Sequence, residues 1–517
     1  MSYQKLFFIT IFIGLSVALR GQQNNYPIRQ YLETELKKNA GILFPEGVRE
    51  FYGYSEYRFA WLSDETVMQQ LSDYIEHAGE SGLNKEDYQI RFIKSVQDKT
   101  AQLHGNVDSL AAEIRFTDCA IHFFRDVAFG KEPALLKYNG LSYAPDCIDI
   151  PALIAAALNG HVFNQLLTVV DDQSPEYLAL KKMAASLVSN DSLQPGPIIT
   201  FSNPTTGNKP VLRKLYQLGI INSPDISITD TSMKSYLKQA QRLFYLPENG
   251  YLSNSLIKEL NVPLGERLSS LYAAMNTFRW LSCIRKKWPH IAVVNIPSAG
   301  LLVYAGDSVA LASRLIVGKY STQTPTLCSM VKEVILYPYW NVPAKMAVTE
   351  LLPMIKKNKK YLTDNNFQVL NRQGRLVDAA TVNWQKLNAK YFPYTLRQST
   401  GCDNSLGIVK FNFNSPFDVY LHDTPWKILF NLNTRFFSHG CMRLQKSVEL
   451  AHLLLRDNSI AIDTLVSKGC LNNQHPITLQ VAEKMPVFVL YQTAWVDSAA
   501  TVRFYDDVYR KFKGVRK

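Results

Sequence analysis

Near Ala292 the apolar residues switch from a three-and-four spacing to short runs rich in β-branched and aromatic residues, which excludes a fold of one structural class. Upstream, residues 65–79 and 111–127 place apolar side chains along one helical face, as expected of packed helices. Downstream, residues 292–296, 301–304, 310–317, 331–336 and 418–421 read as strands bounded by Gly, Pro, Asn or Asp. A chain of 517 residues also exceeds the roughly 250–300 residues at which single cores stop growing. The expectation is a multidomain α+β protein.

Residues 26–195 read as a helical scaffold. His77, His104, His122 and His161 are dispersed through it without a paired nucleophile and are expected to be structural. A Pro-rich polar break over 192–209 leads into residues 205–281, which read as a small helical module with apolar-striped helices over 236–245, 253–260 and 267–281. The β region spans 290–495, and 496–517 reads as a C-terminal tail. Within it, residues 344–398 differ in composition, with a helix-like stretch over 347–355 and the basic patch Lys356, Lys357, Lys359 and Lys360. Long insertions between strands are thermodynamically tolerable, and one beside a site serves naturally as a cap.

The amino terminus sets the compartment. Lys5 precedes the 14-residue apolar run 6–19, short of the roughly 20 needed to span a bilayer, and small residues at Ser16, Ala18 and Gly21 offer cleavage points. Residues 1–21 are therefore expected to be a signal peptide, or an anchor if retained; either way the body is exported. Seven cysteines are too few and too scattered for a disulfide scaffold, and their odd number leaves at least one thiol unpaired within the chain. No CxxC, HExxH, Walker loop or GxGxxG is present, so neither a metal nor an organic cofactor is expected. The net charge of +12 suits an anionic polymer or surface but does not choose among them.

One constellation carries chemistry. His422 closes a predicted strand, and after fifteen intervening residues comes Ser438-His439-Gly440-Cys441-Met442-Arg443. A thiol of ordinary pKa is mostly protonated at neutral pH, and an adjacent imidazole converts it to a nucleophile. A glycine immediately before it permits a tight turn that aims backbone N–H groups at an oxyanion.

This pattern resembles the active-site signature of the L,D-transpeptidases (YkuD-type catalytic domain). Outside it, Val294-Asn295-Ile296-Pro297, Pro338-Tyr339-Trp340-Asn341-Val342-Pro343, Asn404-Ser405-Leu406-Gly407 and Thr493-Ala494-Trp495 are similar to phrases of the large YcbB-like members. Residues 205–281, with Asn261-Val262-Pro263-Leu264 and Arg279-Trp280, resemble a three-helix peptidoglycan-binding module.

The resemblance implies that Cys441 is the nucleophile and His422 its proton acceptor. Gly440, with Ser438 and His439, would shape the turn and oxyanion site, and Tyr420, Arg443, Trp340 and Asn404 would line the substrate cleft. It implies acyl transfer through a thioester, with peptidoglycan stem tetrapeptides as donor and acceptor and a 3→3 cross-link as product. It further implies a periplasmic, soluble or wall-associated location, acylation by carbapenems and work alongside other wall synthases, with no nucleic-acid partner. Water as acceptor (a carboxypeptidase), a protein amine as acceptor, and a non-catalytic wall-binding scaffold remain open. Cys402 departs from the family pattern, and a disulfide from it to Cys441 is a further expectation.

Overall fold

The computed structural model describes residues 26–34, 36, 41–98, 107–131, 136–141, 147–189, 198–200, 209–456, 459–469, 471 and 474–512; the leader expected over 1–21 lies outside them. Among the described residues no helix is long and apolar enough to cross a membrane. Two compact units emerge. The first comprises residues up to Ser72 together with Arg91–His122 and Ile150–Phe163; the second holds Asp73–Ile90, Phe123–Asp149 and everything from Asn164 onward.

The first unit is helical. Helices Pro45–Tyr54 and Ile150–Asn159 pack together, and Trp61 stacks between Phe51 and Phe116 with Phe163 edge-on. Offset and edge-to-face rings bury large apolar area while keeping their quadrupoles in favourable register.

In the second unit, four helices, Lys209–Gln217, Asp230–Leu243, Asn254–Leu260 and Leu264–Lys287, follow one another where a three-helix module over 205–281 is expected. Thr229 and Ser253 cap two of them, each hydroxyl accepting a backbone N–H of the first turn. The bundle has no core of its own. Leu237, Leu256 and Leu260 share one apolar cluster with Tyr177, Leu180, Phe278, Phe488 and Phe504, so the boundary drawn at 281 is invisible to the packing. Cys147 and Cys283 form a disulfide.

The strands are β1 (Tyr138–Asn139), β2 (Ile291–Asn295), β3 (Gly300–Ala305), β4 (Ser308–Gly318), β5 (Leu327–Leu336), β6 (Trp340–Asn341), β7 (Phe367–Leu370), β8 (Leu376–Val377), β9 (Thr395–Gln398), β10 (Val409–Phe413), β11 (Leu421–His422), β12 (Phe436–Ser438), β13 (Met442–Leu444), β14 (Ile477–Leu490), β15 (Ala494–Val496) and β16 (Val502–Phe504). The main sheet runs β1-β5-β10-β11-β13-β4-β3-β2-β14, and β14 also pairs with β5, so the sheet curls back on itself. Closure removes exposed strand edges. Val409, Phe411, Leu421, Met442 and Leu444 face the enclosed core, all buried. Because side chains alternate along a strand, Lys410, His422 and Arg443 fall on the opposite face.

The inserted segment is a small folded body. Strands β6-β9-β7-β8 form a separate sheet beneath a helical run from Ala344 to Lys357 whose middle turn is π-helical, around a core of Val342, Leu351, Ile355, Val369 and Leu396. The sequence reading anticipates the helix but not this sheet, whose strands are too short to show a period. Residues 496–512 are not a tail. Strand β16 pairs with β15, Phe504 and Tyr509 are buried, and the Tyr509 hydroxyl donates to Gly318 O at 2.6 Å.

Candidate active site

Register brings the site together. Strand β11 runs parallel to β13 with Leu421 opposite Met442 and His422 opposite Arg443, and antiparallel to β10 with Lys410 opposite His422. The Met442 N–H donates to Tyr420 O at 3.0 Å, so Tyr420 and Cys441 precede the paired residues on neighbouring strands. Tyr420, His422, Lys410, Cys441 and Arg443 thus gather on the face turned away from the core, and the Tyr420 and His422 rings lie 5.6 Å apart.

The turn that carries Cys441 is held from several sides. Gly440 has φ of +117°, a conformation a side chain would strain, and this rather than lack of room explains the glycine. Ser438 Oγ donates to Cys441 O at 2.6 Å and accepts the Gly440 N–H at 3.1 Å; Thr324 Oγ1 donates to Gly440 O at 2.8 Å. The Thr324 N–H in turn donates to the Tyr509 hydroxyl, so the C-terminal segment braces the turn. The Gly440 N–H expected to face an oxyanion is therefore spent inside the turn, because the buried Ser438 hydroxyl needs both a donor and an acceptor there.

His422 is buried, and its Nδ1 meets Asp423 O at 2.5 Å. With Nδ1 donating to that carbonyl, Nε2 is left as the acceptor of a neutral ring. Burial, followed by the nearby Arg443 charge, pushes the His422 pKa down to about 3. Asp423 is itself fixed: its carboxylate accepts from Ile408 N at 3.0 Å, Ser447 Oγ at 2.7 Å and the Lys427 ammonium. A Cβ on Gly407 would stand 2.3 Å from Asp423 Oδ2, so only glycine admits this approach.

Burial raises the Cys441 thiol above its ordinary pKa, against opposing contributions from the Tyr420 backbone N–H and hydroxyl and from the Lys410 and Arg443 charges. Sγ also lies 3.9 Å from Asp418 O. Both shifts favour the neutral form, of the thiol and of the imidazole alike.

One contact ties the inserted segment to this face: His439 Nε2 lies 2.9 Å from Glu350 Oε1 on the π-helical turn. Arg443 packs its guanidinium 5.1 Å from the Trp426 ring centre, and its Nε has no hydrogen-bond partner among the described residues.

Asn404 is a correction. Its Nδ2 donates to Pro338 O and Ser399 O and its Oδ1 accepts from Leu406 N, so a buried loop consumes the whole amide and none is left for substrate. The Cys402–Cys441 disulfide is a second: Cys402 is disulfide-bonded while Cys441 is free, as are the buried Cys119 and Cys328. The sequence reading assigns no role to Lys410, Asp423 or Glu350. A lysine between Val409 and Phe411 in an apolar strand, and an Asp directly after the candidate base, are the available signals; Glu350 carries none, since its partner is 89 residues away.

The fold and site define an arrangement: a cysteine and a histidine on neighbouring strands, on the outer face of a curled mixed sheet. Residues 289–487 match the family model of the L,D-transpeptidase catalytic domain, YkuD, and residues 46–183 match that of a Scaffold domain. The chain thus carries an L,D-transpeptidase catalytic domain together with a scaffold domain.

It is 39% identical over 214 residues to a putative L,D-transpeptidase of Haemophilus influenzae, a match covering 41% of this chain and less than half, 43%, of that relative. Two solved structures are also similar. One is an L,D-transpeptidase from Mycobacterium smegmatis, with 13% identity over 39% of this chain and 58% of that one and a TM-score of 0.20. The other is an LD transpeptidase in complex with imipenem, with 15% identity over 39% of this chain and 59% of that one and a TM-score of 0.19. At those scores the fold rests on the strands described above.

Proposed function

We propose that this chain is an exported peptidoglycan L,D-transpeptidase that forms 3→3 cross-links through a thioester on Cys441. The observation that carries this reading is the neutral His422, locked through Nδ1 to the Asp423 carbonyl, on the strand paired with the one that follows Cys441. In the proposed reaction Sγ attacks the carbonyl of the donor's diamino acid while its proton passes to His422 Nε2. The tetrahedral oxyanion collapses as the bond to the terminal D-Ala nitrogen breaks, and that nitrogen takes the proton from His422. The side-chain amine of a second stem then attacks the thioester, surrenders a proton to His422 and releases the thiol.

With the Gly440 N–H occupied, the Cys441 N–H is the proposed oxyanion donor. Trp340, Tyr420 and Arg443 are proposed to line the cleft. His439 is assigned to holding the cap through Glu350 rather than to proton transfer. The bundle of residues 209–287 is proposed as the wall-binding part, acting in the periplasm beside other wall synthases.

Intact-mass measurement tests this directly. Incubation with a carbapenem is expected to add one adduct, and with a disaccharide tetrapeptide to give a cross-linked dimer; Cys441→Ala should lose both, with turnover falling by roughly 10⁴-fold or more. Release of D-Ala without dimer would reassign the acceptor to water. Failure of both ligands to modify the thiol would leave only a wall-binding scaffold.

A further inference from the structure

Lys410 is a cation that the reaction above does not use. It stands opposite His422 in the sheet, with its ammonium 4.1 Å from the Tyr420 ring centre, and both residues line an open cleft of about 520 Å³ that also includes Asp418, whose carbonyl approaches Cys441 Sγ. Among the described residues the Lys410 ammonium has neither a hydrogen bond nor an ion pair. Glu333, in the same cleft, attracts it only through space; its carboxylate oxygens accept from Asn412 Nδ2 at 2.6 Å and Gln480 Nε2 at 3.3 Å rather than from the ammonium. A half-buried ammonium held against an aromatic ring pays desolvation with no direct ion pair in return: burial lowers its pKa, and the opposing influence of Cys441 and Glu333 acts only through space. A cation with no direct ion pair, lining a cleft that reaches toward Cys441 through Asp418 and Tyr420, is arranged to receive an anion from outside the chain.

Building on the transpeptidase reading, we propose that Lys410 binds a carboxylate of the donor stem next to the scissile carbonyl and thereby selects the donor. The terminal carboxylate of the leaving residue is close to that carbonyl in the chain, and a diamino acid that bears a side-chain carboxylate, as diaminopimelate does, offers a second one at the far end of its side chain. Either would replace the water lost by the ammonium, and only a stem that carries the charge would seat its carbonyl against Cys441.

The test compares three donors, the free tetrapeptide, its C-terminal amide and its side-chain amide, with the wild-type chain and with Lys410→Met, Lys410→Arg and Arg443→Met. Wild type should favour the free acid over one of the amides by about tenfold or more in kcat/KM, the range expected when a charged hydrogen bond is lost. In Lys410→Met that preference should shrink to within about twofold, mainly through KM on the free acid, and Lys410→Arg should restore most of it. Whichever amide stops being discriminated against identifies the carboxylate. The proposal is overturned if Lys410→Met keeps the wild-type preference, if Arg443→Met is the variant that erases it, or if the only change is a shift in the pH profile of Cys441 alkylation, which would make Lys410 a stabiliser of the thiolate. A wild-type chain that releases no terminal residue from any donor defeats the transpeptidase reading itself and with it this proposal.

Discussion

Two buried polar clusters, one in each unit, are built from similar groups and come out opposite. In the helical unit Glu113 is fully buried, and its carboxylate accepts from Ala60 N at 2.6 Å, Trp61 N at 3.2 Å, Leu62 N at 2.9 Å and the Tyr52 hydroxyl at 3.2 Å. Thr117 completes the set by accepting the Trp61 indole N–H at 2.9 Å. Burial raises the Glu113 pKa while the N–H donors oppose that rise. At the candidate site, by contrast, Arg443 Nε has no hydrogen-bond partner among the described residues, the Lys410 ammonium rests against the Tyr420 ring, and Cys441 is only partly buried. A polar group whose valences are all met internally serves the fold. One left partly unmet on an open cleft stores binding capacity for a ligand.

The largest effect is expected where satisfaction is complete. Glu113→Ala would strip the acceptor from three backbone N–H groups and a hydroxyl, and should cost about 3–5 kcal/mol, read as a drop in unfolding midpoint, with Cys441 alkylation unchanged in the folded protein. A cost below about 1 kcal/mol would break the contrast, since water would then serve as well as the carboxylate.

His422 sharpens the other side. Its folded pKa, about 3, lies below the roughly 6.5 of an unfolded histidine, so the unfolded chain binds the proton first as pH falls. The stability associated with neutral His422 is complete above about pH 6.5 and is lost progressively as pH falls toward 3. Unfolding titrations should show that slope in wild type and lose part of it in His422→Gln; equal slopes would mean that the imidazole is not buried in solution.

The smallest effect belongs to the cap contact. His439 and Glu350 are about one-third and one-half exposed, so Glu350→Gln should change stability by under about 1 kcal/mol. Its mark should be a change of no more than about threefold in KM for the tetrapeptide, diminished at high salt. A collapse of kcat instead would show that the cap contact positions the nucleophile turn.

Local pattern was enough to determine much of this protein. The switch from helical to strand periodicity near Ala292 is where β2 begins, and the stretches 236–245, 253–260 and 267–281 overlap the helices Asp230–Leu243, Asn254–Leu260 and Leu264–Lys287, the first and last of which extend well beyond the stripe read from sequence. The pairing of His422 with the Ser438–Arg443 segment was legible because a base, a positive-φ glycine and a thiol leave a compact signature in the chain. Tertiary structure alone decided the rest. Lys410 joins the site through strand pairing, Glu350 reaches His439 across 89 residues, and Tyr509 braces the turn from near the C terminus. Asn404 reads the same in sequence whether it faces a cleft or a buried loop; only its neighbours assign it to the loop. Periodicity records which face of a segment is buried, whereas the partners across a sheet are set by register and closure, to which no single segment bears witness.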